Sequence, residues 1–303
     1  MSPGSGPARA AKRAVSALLR QSAVNAAMRI SLRPFAGVLP LDWLSRLPVV
    51  GIVRDRLWSG AELRLASDGR DLIASAVHWR GLAGWEPETL AALRKVLPDV
   101  RVFFDVGAST GVFSLIAALD DRSRRVFAFE PGPGMSEGLE RNLVLNGVSN
   151  VRRVEAAVCG HDGTVDLFMP PGESLPFGAS TLAGHREAGT RLRVRALKLD
   201  TFAAQEGIGC VDLVKVDTEG TEPVVLAGAR GLLERDQPWI VCEVLHGLTE
   251  AGLHEELDRL GYRYFAITHR GLEPRPRIVG DPAYRERNWL FATERRLRAC
   301  PLG

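Results

Sequence analysis

The residues with the clearest chemical potential sit where apolar runs stop. Val102-Phe103-Phe104 ends at Asp105 and opens the loop Asp105-Val-Gly-Ala-Ser-Thr-Gly111. Gly107 and Gly111 permit a tight turn and let the backbone approach a ligand closely. The run Arg125–Phe129 ends at Glu130, 19 residues after Gly111, where an acid commonly holds ribose hydroxyls. Val211–Val216 ends at Asp217, and Trp239–Cys242 ends at Glu243. Four acids at four strand ends suit a polyhydroxylated or cationic ligand. They do not suit a pyrophosphate, and the G-x-G-x-x-G spacing is absent, because Gly107, Ser109 and Val112 occupy those three positions. S-adenosylmethionine carries a sulfonium and no phosphate, so it fits this acid-rich loop better than a nicotinamide dinucleotide does.

An acceptor hydroxyl needs a base. Asp217, Glu219, Glu222 and His246 are the candidates, and Lys215 could neutralise a carboxylate or orient the acceptor. Asp217 is the foremost of these, because a carboxylate ending an apolar core strand is costly without a partner. Plainer roles exist for the others. Glu222 could begin a helix capped by Thr221, Glu219 could pair with Lys215, and His246 could belong to a loop. Glu222, Glu243 and Trp85 are candidate substrate contacts, although Trp85 could equally serve packing. Asp217 and Glu243 could hold Mg²⁺, but no ligand spacing marks a metal site and none is expected. Cys159, Cys210, Cys242 and Cys300 form no CxxC or Cys/His pattern, so they read as small, buried, reduced residues.

These residues need an alternating scaffold. From Val100 onward strands and helices alternate: helix 112–119, helix 134–145, a third strand 151–158, paired strands 164–169 and 192–197 around a Gly/Pro/Ser-rich loop 170–190, helix 222–233, helix 253–260, and closing strands 262–267 and 289–292. That order calls for a mostly parallel α/β sheet with helices on both faces and ligands at the carboxyl ends of the strands. Upstream, residues 61–65 and 72–77 read as strands broken by Ser67-Asp68-Gly69, and Pro87 begins a helix.

The core resembles class I methyltransferases, and more specifically the FkbM-type methyltransferases. The resembling segments are Phe104-Asp-Val-Gly-Ala-Ser-Thr-Gly-Val-Phe-Ser114, Phe129-Glu-Pro131, Leu199-Asp-Thr-Phe202, Val211-Asp-Leu-Val-Lys-Val-Asp-Thr-Glu-Gly-Thr-Glu222, Ile240-Val-Cys-Glu-Val244, Gly261-Tyr262 and Asn288-Trp-Leu-Phe291. The departure is Ser109-Thr110, where the family more often carries Asn and a hydrophobic residue. The resemblance implies a Rossmann-like class I sheet of seven strands, mostly parallel with the last strand antiparallel, and an N-terminal α+β extension. It implies S-adenosyl-L-methionine as cofactor. Asp105, Gly107, Ala108, Ser109 and Gly111 would shape the methionine end, Glu130 with Pro131 would hold the ribose, Ala157 would lie near the adenine, and Asp217 would sit beside the sulfonium and acceptor. The resulting expectation is methylation of a hydroxyl on a sugar, glycan, lipid or secondary metabolite. An NAD(P)-binding oxidoreductase, a non-catalytic S-adenosylmethionine-binding protein, and an N- or C-methyltransferase are the alternatives.

The chain divides into a basic arm (1–45), accessory elements (46–99), the cofactor-binding domain (100–296) and a tail (297–303). Its 303 residues, 46% hydrophobic and 25% charged, exclude a disordered chain or a fibre, and no apolar run is long enough to span a bilayer. The net charge of +3 conceals an asymmetry: residues 1–41 hold six cations and no acid, so the remainder sums to −3. The body therefore lacks the basic stripe of a nucleic-acid binder. Apolar positions from Val15 to Ile30 recur at roughly helical spacing, which fits a helix packed on the domain or one contacting an anionic membrane surface. The absence of a secretory signal pattern points to the cytoplasm.

Overall fold

The apolar runs that end in acids become adjacent strands of one sheet. A computed structural model of the chain describes residues 15, 17–169, 180–182 and 190–302. The expected loop 170–190 and the start of the basic arm lie largely outside these residues. The described chain groups into two compact units, divided between Glu86 and Pro87.

In the first unit, helix Ser22–Leu32 precedes an antiparallel hairpin of β1 (Val50–Arg56) and β2 (Glu62–Asp68), in which Val50 faces Asp68. The expected strand at 72–77 is instead a helix, Leu72–Arg80. Asp71 decides this. Its carboxylate accepts hydrogen bonds from the amides of Ile73 (2.8 Å) and Ala74 (3.0 Å), and thereby satisfies the first turn. The alternating pattern reads as a strand because six of the helix's nine residues are buried, which erases the amphipathic stripe.

The second unit holds β3 (Val102–Val106), β4 (Arg125–Phe129), β5 (Val151–Val154), β6 (Ala157–Val158), β7 (Gly163–Met169), β8 (Thr190–Leu197), β9 (Leu213–Val216), β10 (Trp239–Glu243), β11 (Tyr262–Thr268), β12 (Gly271–Arg275) and β13 (Asn288–Thr293). The main sheet runs β12-β11-β13-β10-β9-β3-β4-β5. Strands β5, β4, β3, β9 and β10 are parallel, and β13 is antiparallel to β10 and β11. This is the expected Rossmann-like sheet, with one edge strand, β12, added to the seven. The chain leaves β3 toward β4 and β5 on one side and reaches β9 and β10 on the other. With right-handed crossovers the two sets of helices fall on opposite faces, and the order reverses between β3 and β9.

The expected third strand breaks after Val154. Ala157–Val158 pairs instead with β8 in a separate three-stranded sheet, β6-β8-β7. The expected helix 222–233 is two helices, Glu222–Ala227 and Arg230–Asp236. The chain passes so close to Cys159 at the break that a Cβ on Gly228 would stand 2.2 Å from its carbonyl oxygen. The Asp200 carboxylate then caps the second helix through the amides of Gly231 (3.0 Å) and Leu232 (2.8 Å).

Phe104, Phe127, Phe129 and Phe202 pack edge to face with centroids 4.9–5.8 Å apart, and this locks β3, β4 and helix Leu199–Gln205 together beneath the strand ends. All four cysteines are free. Cys159 and Cys242 are buried as expected, whereas Cys210 is exposed. Among the described residues no helix is long and apolar enough to cross a membrane.

Candidate active site

Strands β3 and β9 pair with Asp105 opposite Lys215, which brings the first two charged groups together at the reversal of the sheet. Lys215 is almost fully buried. Its Nζ lies 2.9 Å from Asp217 Oδ2 and 4.7 Å from the centroid of the Phe113 ring. Asp217, two residues on, retains 25% side-chain exposure and is the reachable end of this pair. Asp105 is 1% exposed. Its Oδ2 accepts from Ser114 Oγ at 2.6 Å, and its Oδ1 is buried without a hydrogen-bond partner among the described residues. Burial raises the Asp105 pKa, opposed by the Lys215 charge and the Ser114 bond.

The glycine loop is sewn to β4. The amides of Gly107 and Ala108 both donate to Phe129 O at 3.0 Å. Gly107, Ser109 and Gly111 all take positive φ (79°, 52° and 90°), which brings consecutive loop amides toward the sheet end. Glu130 closes the loop, with Oε2 accepting from Ser109 N (2.9 Å) and Oε1 from Gly132 N (2.8 Å). Burial pushes its carboxyl up to about 7 in spite of these two bonds. Pro131 is half-buried between the two anchors. Ala157 is buried in β6 and paired with Ala196 of β8.

The turn after β9 is organised by Glu222 rather than by Thr221. Helix Glu222–Ala227 has no side-chain cap from Thr221. Glu222 Oε1 instead accepts from Thr218 N (2.8 Å), Thr218 Oγ1 (3.1 Å) and Gly220 N (3.1 Å). The Glu222 carboxyl is fully buried, and burial lifts its pKa to about 7. Glu219 stands in this turn at φ 57°, and its carbonyl accepts from Ser180 Oγ at 2.8 Å.

Glu243 ends β10, one step beyond the Cys242–Val216 register pair, and so stands beside Asp217. Its Oε1 accepts from Arg287 Nη1 at 2.7 Å, while Oε2 is buried without a partner among the described residues. Burial first, then the Asp217 and Glu219 charges, push its carboxyl to about 9 against the pull of Arg287. Burial thus biases Glu243 toward its protonated form, in which it can donate a hydrogen bond. His246 lies past β10, half-exposed, with Nδ1 3.0 Å from Gly280 O and 3.7 Å from Glu250 Oε1. Trp85 belongs to the first unit, where its amide closes the turn Leu82–Gly84.

Sequence reasoning did not single out Arg287, Ser180 or Phe113, which touch Glu243, the Glu219 carbonyl and Lys215. Ser114 and Phe113 lie within the motif that begins at Asp105, but Arg287 and Ser180 lie in irregular segments with no pattern to mark them. Among the described residues no group of three or more His, Cys, Asp or Glu is arranged to hold a metal ion. The assembled groups are carboxylates and backbone amides, and the buried Lys215 is already engaged by Asp217. The arrangement suits hydroxyls and positive charge.

The profile of the methyltransferase FkbM domain matches residues 105–264. The chain is 31% identical over 162 residues to "Methyltransferase sdnD" of Sordaria araneosa, covering 44% of this chain and 61% of that protein. It is 29% identical over 153 residues to the 31-O-demethyl-FK506 methyltransferase FkbM of Streptomyces tacrolimicus, covering 42% and 58%. The match thus spans about three-fifths of the length of these relatives. A solved methyltransferase FkbM from Methylobacillus flagellatus superposes with a TM-score of 0.43 at 16% identity, covering 75% of this chain and 56% of that one. The family profile takes in more than half of the chain, from the glycine loop through Glu130, the Lys215–Asp217 pair and Glu243, and the chain belongs to the FkbM methyltransferase family.

Proposed function

We propose that the protein is an S-adenosylmethionine-dependent methyltransferase acting on a hydroxyl of a small molecule, sugar, glycan or lipid. The observation that carries this reading is the Lys215–Asp217 pair, set between the buried Asp105 and Glu243 at the reversal of the sheet. The residues present fit the cofactor. The unpartnered Asp105 Oδ1 and the Glu130 carboxyl offer acceptors for an ammonium and for hydroxyls. The Streptomyces relative is, by name, an O-directed methyltransferase, which favours oxygen over nitrogen or carbon as the acceptor atom.

When bound, S-adenosylmethionine supplies a methyl group already activated on a sulfonium, so the protein's task is alignment and removal of one proton. Asp217 is the base. Lys215 holds one of its oxygens and keeps the carboxylate fixed, while the exposed side faces the acceptor. Glu243, protonated, donates from Oε2 to a second acceptor oxygen and orients the ring or chain that carries it. Glu222 fixes the turn that bears Glu219, so that the Asp217 backbone does not drift.

The test is calorimetric titration with S-adenosylhomocysteine. Micromolar binding that Glu130→Ala abolishes supports the reading. Binding of NADH with none of S-adenosylhomocysteine overturns it. Retained cofactor binding with no methyl transfer to any hydroxyl acceptor in a broad panel overturns the catalytic part.

A further inference from the structure

Large apolar side chains are held out of the core in one short stretch of the first unit. Of the twelve exposed large hydrophobic residues among those described, six fall between positions 15 and 43: Val15, Leu18, Ile30, Phe35, Val38 and Trp43. Ile30 is 74% exposed, Phe35 54%, Val38 82% and Trp43 49%. Neighbouring positions on the same stretch are buried, with Asn25 and Leu44 at 0% and Val49 at 1%. The stretch is therefore two-sided, and its outward side is apolar.

This backbone is tied down. The Asn25 amide, fully buried, donates to Leu19 O (2.8 Å) and Pro48 O (2.7 Å) and accepts from Val50 N (3.0 Å). Arg80 Nη2 donates to Leu39 O at 2.8 Å, and Ser75 Oγ donates to Leu47 O at 3.0 Å. The turn itself is closed by Val38 N and Leu39 N, each 3.0 Å from Phe35 O. Phe35, Val38 and Trp43 are thus presented on a fixed support. Ordinary folding would bury such a set unless it has a partner.

The charge beside these residues is predominantly positive: segment 30–46 carries Arg33 and Arg46 against a single acid, Asp42. Residues 1–41 contain no acid, and Arg33 and Arg46 are exposed. Arg29 and Arg33 add, after burial, to the forces that push His78 down to about 4, a sign of local positive potential. A second copy of the same segment would set like charges against each other across a two-fold axis. An anionic bilayer offers the complement to both properties at once, phosphates for arginine and an acyl boundary for aromatic and aliphatic groups.

We propose that segment 30–46 docks the protein on an anionic lipid bilayer. Phe35, Val38 and Trp43 enter the headgroup–acyl boundary, and Arg33 and Arg46 meet the lipid phosphates. The inference is independent of the proposed reaction.

The experiment is sedimentation of the full chain with vesicles of phosphatidylcholine alone or with 30% phosphatidylglycerol added, the variants being first matched for thermal unfolding midpoint. The full chain is expected to pellet with the anionic vesicles only, and to be released at high salt. Phe35→Ser with Trp43→Ser, and separately Arg33→Glu with Arg46→Glu, are each expected to weaken partitioning by about tenfold or more. Equal binding to both vesicle types, or no binding, overturns the proposal. Binding untouched by both pairs but lost on removal of residues 1–14 also overturns it, as does a dimer in velocity sedimentation that Phe35→Ser with Trp43→Ser dissociates.

Discussion

Gly107 and Asp217 lie back to back: a Cβ built on Gly107 would stand 1.8 Å from the Asp217 carbonyl oxygen. The glycine loop and the candidate base are thus in contact through backbone that cannot yield. Gly107→Ala is expected to lower stability by on the order of 3 kcal/mol, because the φ of 79° is strained for alanine and the clash is with main chain. Gly111→Ala carries the same φ penalty but meets the tip of Leu139 at 2.3 Å, a side chain that can turn aside. Denaturant unfolding of the two variants is expected to rank Gly107→Ala as the worse, and it alone should also abolish S-adenosylhomocysteine binding.

Glu243 gives a pH signature. Its carboxyl is raised from 4.5 to about 9, so the folded chain takes up a proton that the unfolded chain releases. Stability is therefore highest below 4.5 as far as this group is concerned, and falls as pH rises toward 9, by up to about 1.4 kcal/mol per pH unit. Glu130 and Glu222, raised to about 7, act in the same direction, but their effect is complete near pH 7. The interval from pH 7 to 9 isolates Glu243. Glu243→Gln keeps an acceptor for Arg287 and needs no proton, so its unfolding midpoint is expected to exceed that of the parent at pH 8.5 and to converge with it at pH 5. Parallel curves across that range would refute the assignment.

The Lys215–Asp217 pair separates support from chemistry. Lys215→Met leaves Asp105 buried without its cation and is expected to cost about 3 kcal/mol, seen as a lower melting temperature. Asp217→Asn retains the shape at a partly exposed position, so its stability loss should be smaller. Its turnover on a hydroxyl acceptor is expected to fall by about 10²–10⁴-fold, with affinity for S-adenosylhomocysteine unchanged. A turnover loss that tracks the loss of cofactor affinity would remove Asp217 from the role of base.

The strand ends were legible because each acid interrupts an apolar run of period-free hydrophobicity, and such a run has few readings other than a buried parallel strand. Asp105, Glu130, Asp217 and Glu243 are legible that way, and strand–helix alternation gives the parallel character of the sheet but not its order. Residues 72–77 read as a strand and fold as a helix because a buried helix has no polar stripe, and the deciding group, Asp71, lies just outside the run. The split at Gly228 and the departure of Ala157 from the main sheet depend on contacts between positions about 70 residues apart or on partners such as β8, which periodicity does not carry. Arg287 became visible only when folding placed it on Glu243, 44 residues away.

Asp200 exemplifies a motif residue with a mechanical task. It caps helix Arg230–Asp236 from a distance of 31 and 32 residues along the chain. Asp200→Ala is expected to lower stability by about 1–2 kcal/mol while leaving cofactor affinity within twofold, measured by chemical denaturation and calorimetry on the same samples. Loss of binding without loss of stability would place Asp200 at the site instead.

The hydroxyl of Ser180 holds the carbonyl of Glu219, the turn residue directly downstream of the Asp217-Thr218 pair. Ser180 is also paired through its backbone with Phe168 of β7. Ser180 is therefore tied both to β7 and to the turn that follows the candidate base. Recombining this stretch between relatives would transmit any misfit straight to the reacting centre unless a donor is preserved at that position.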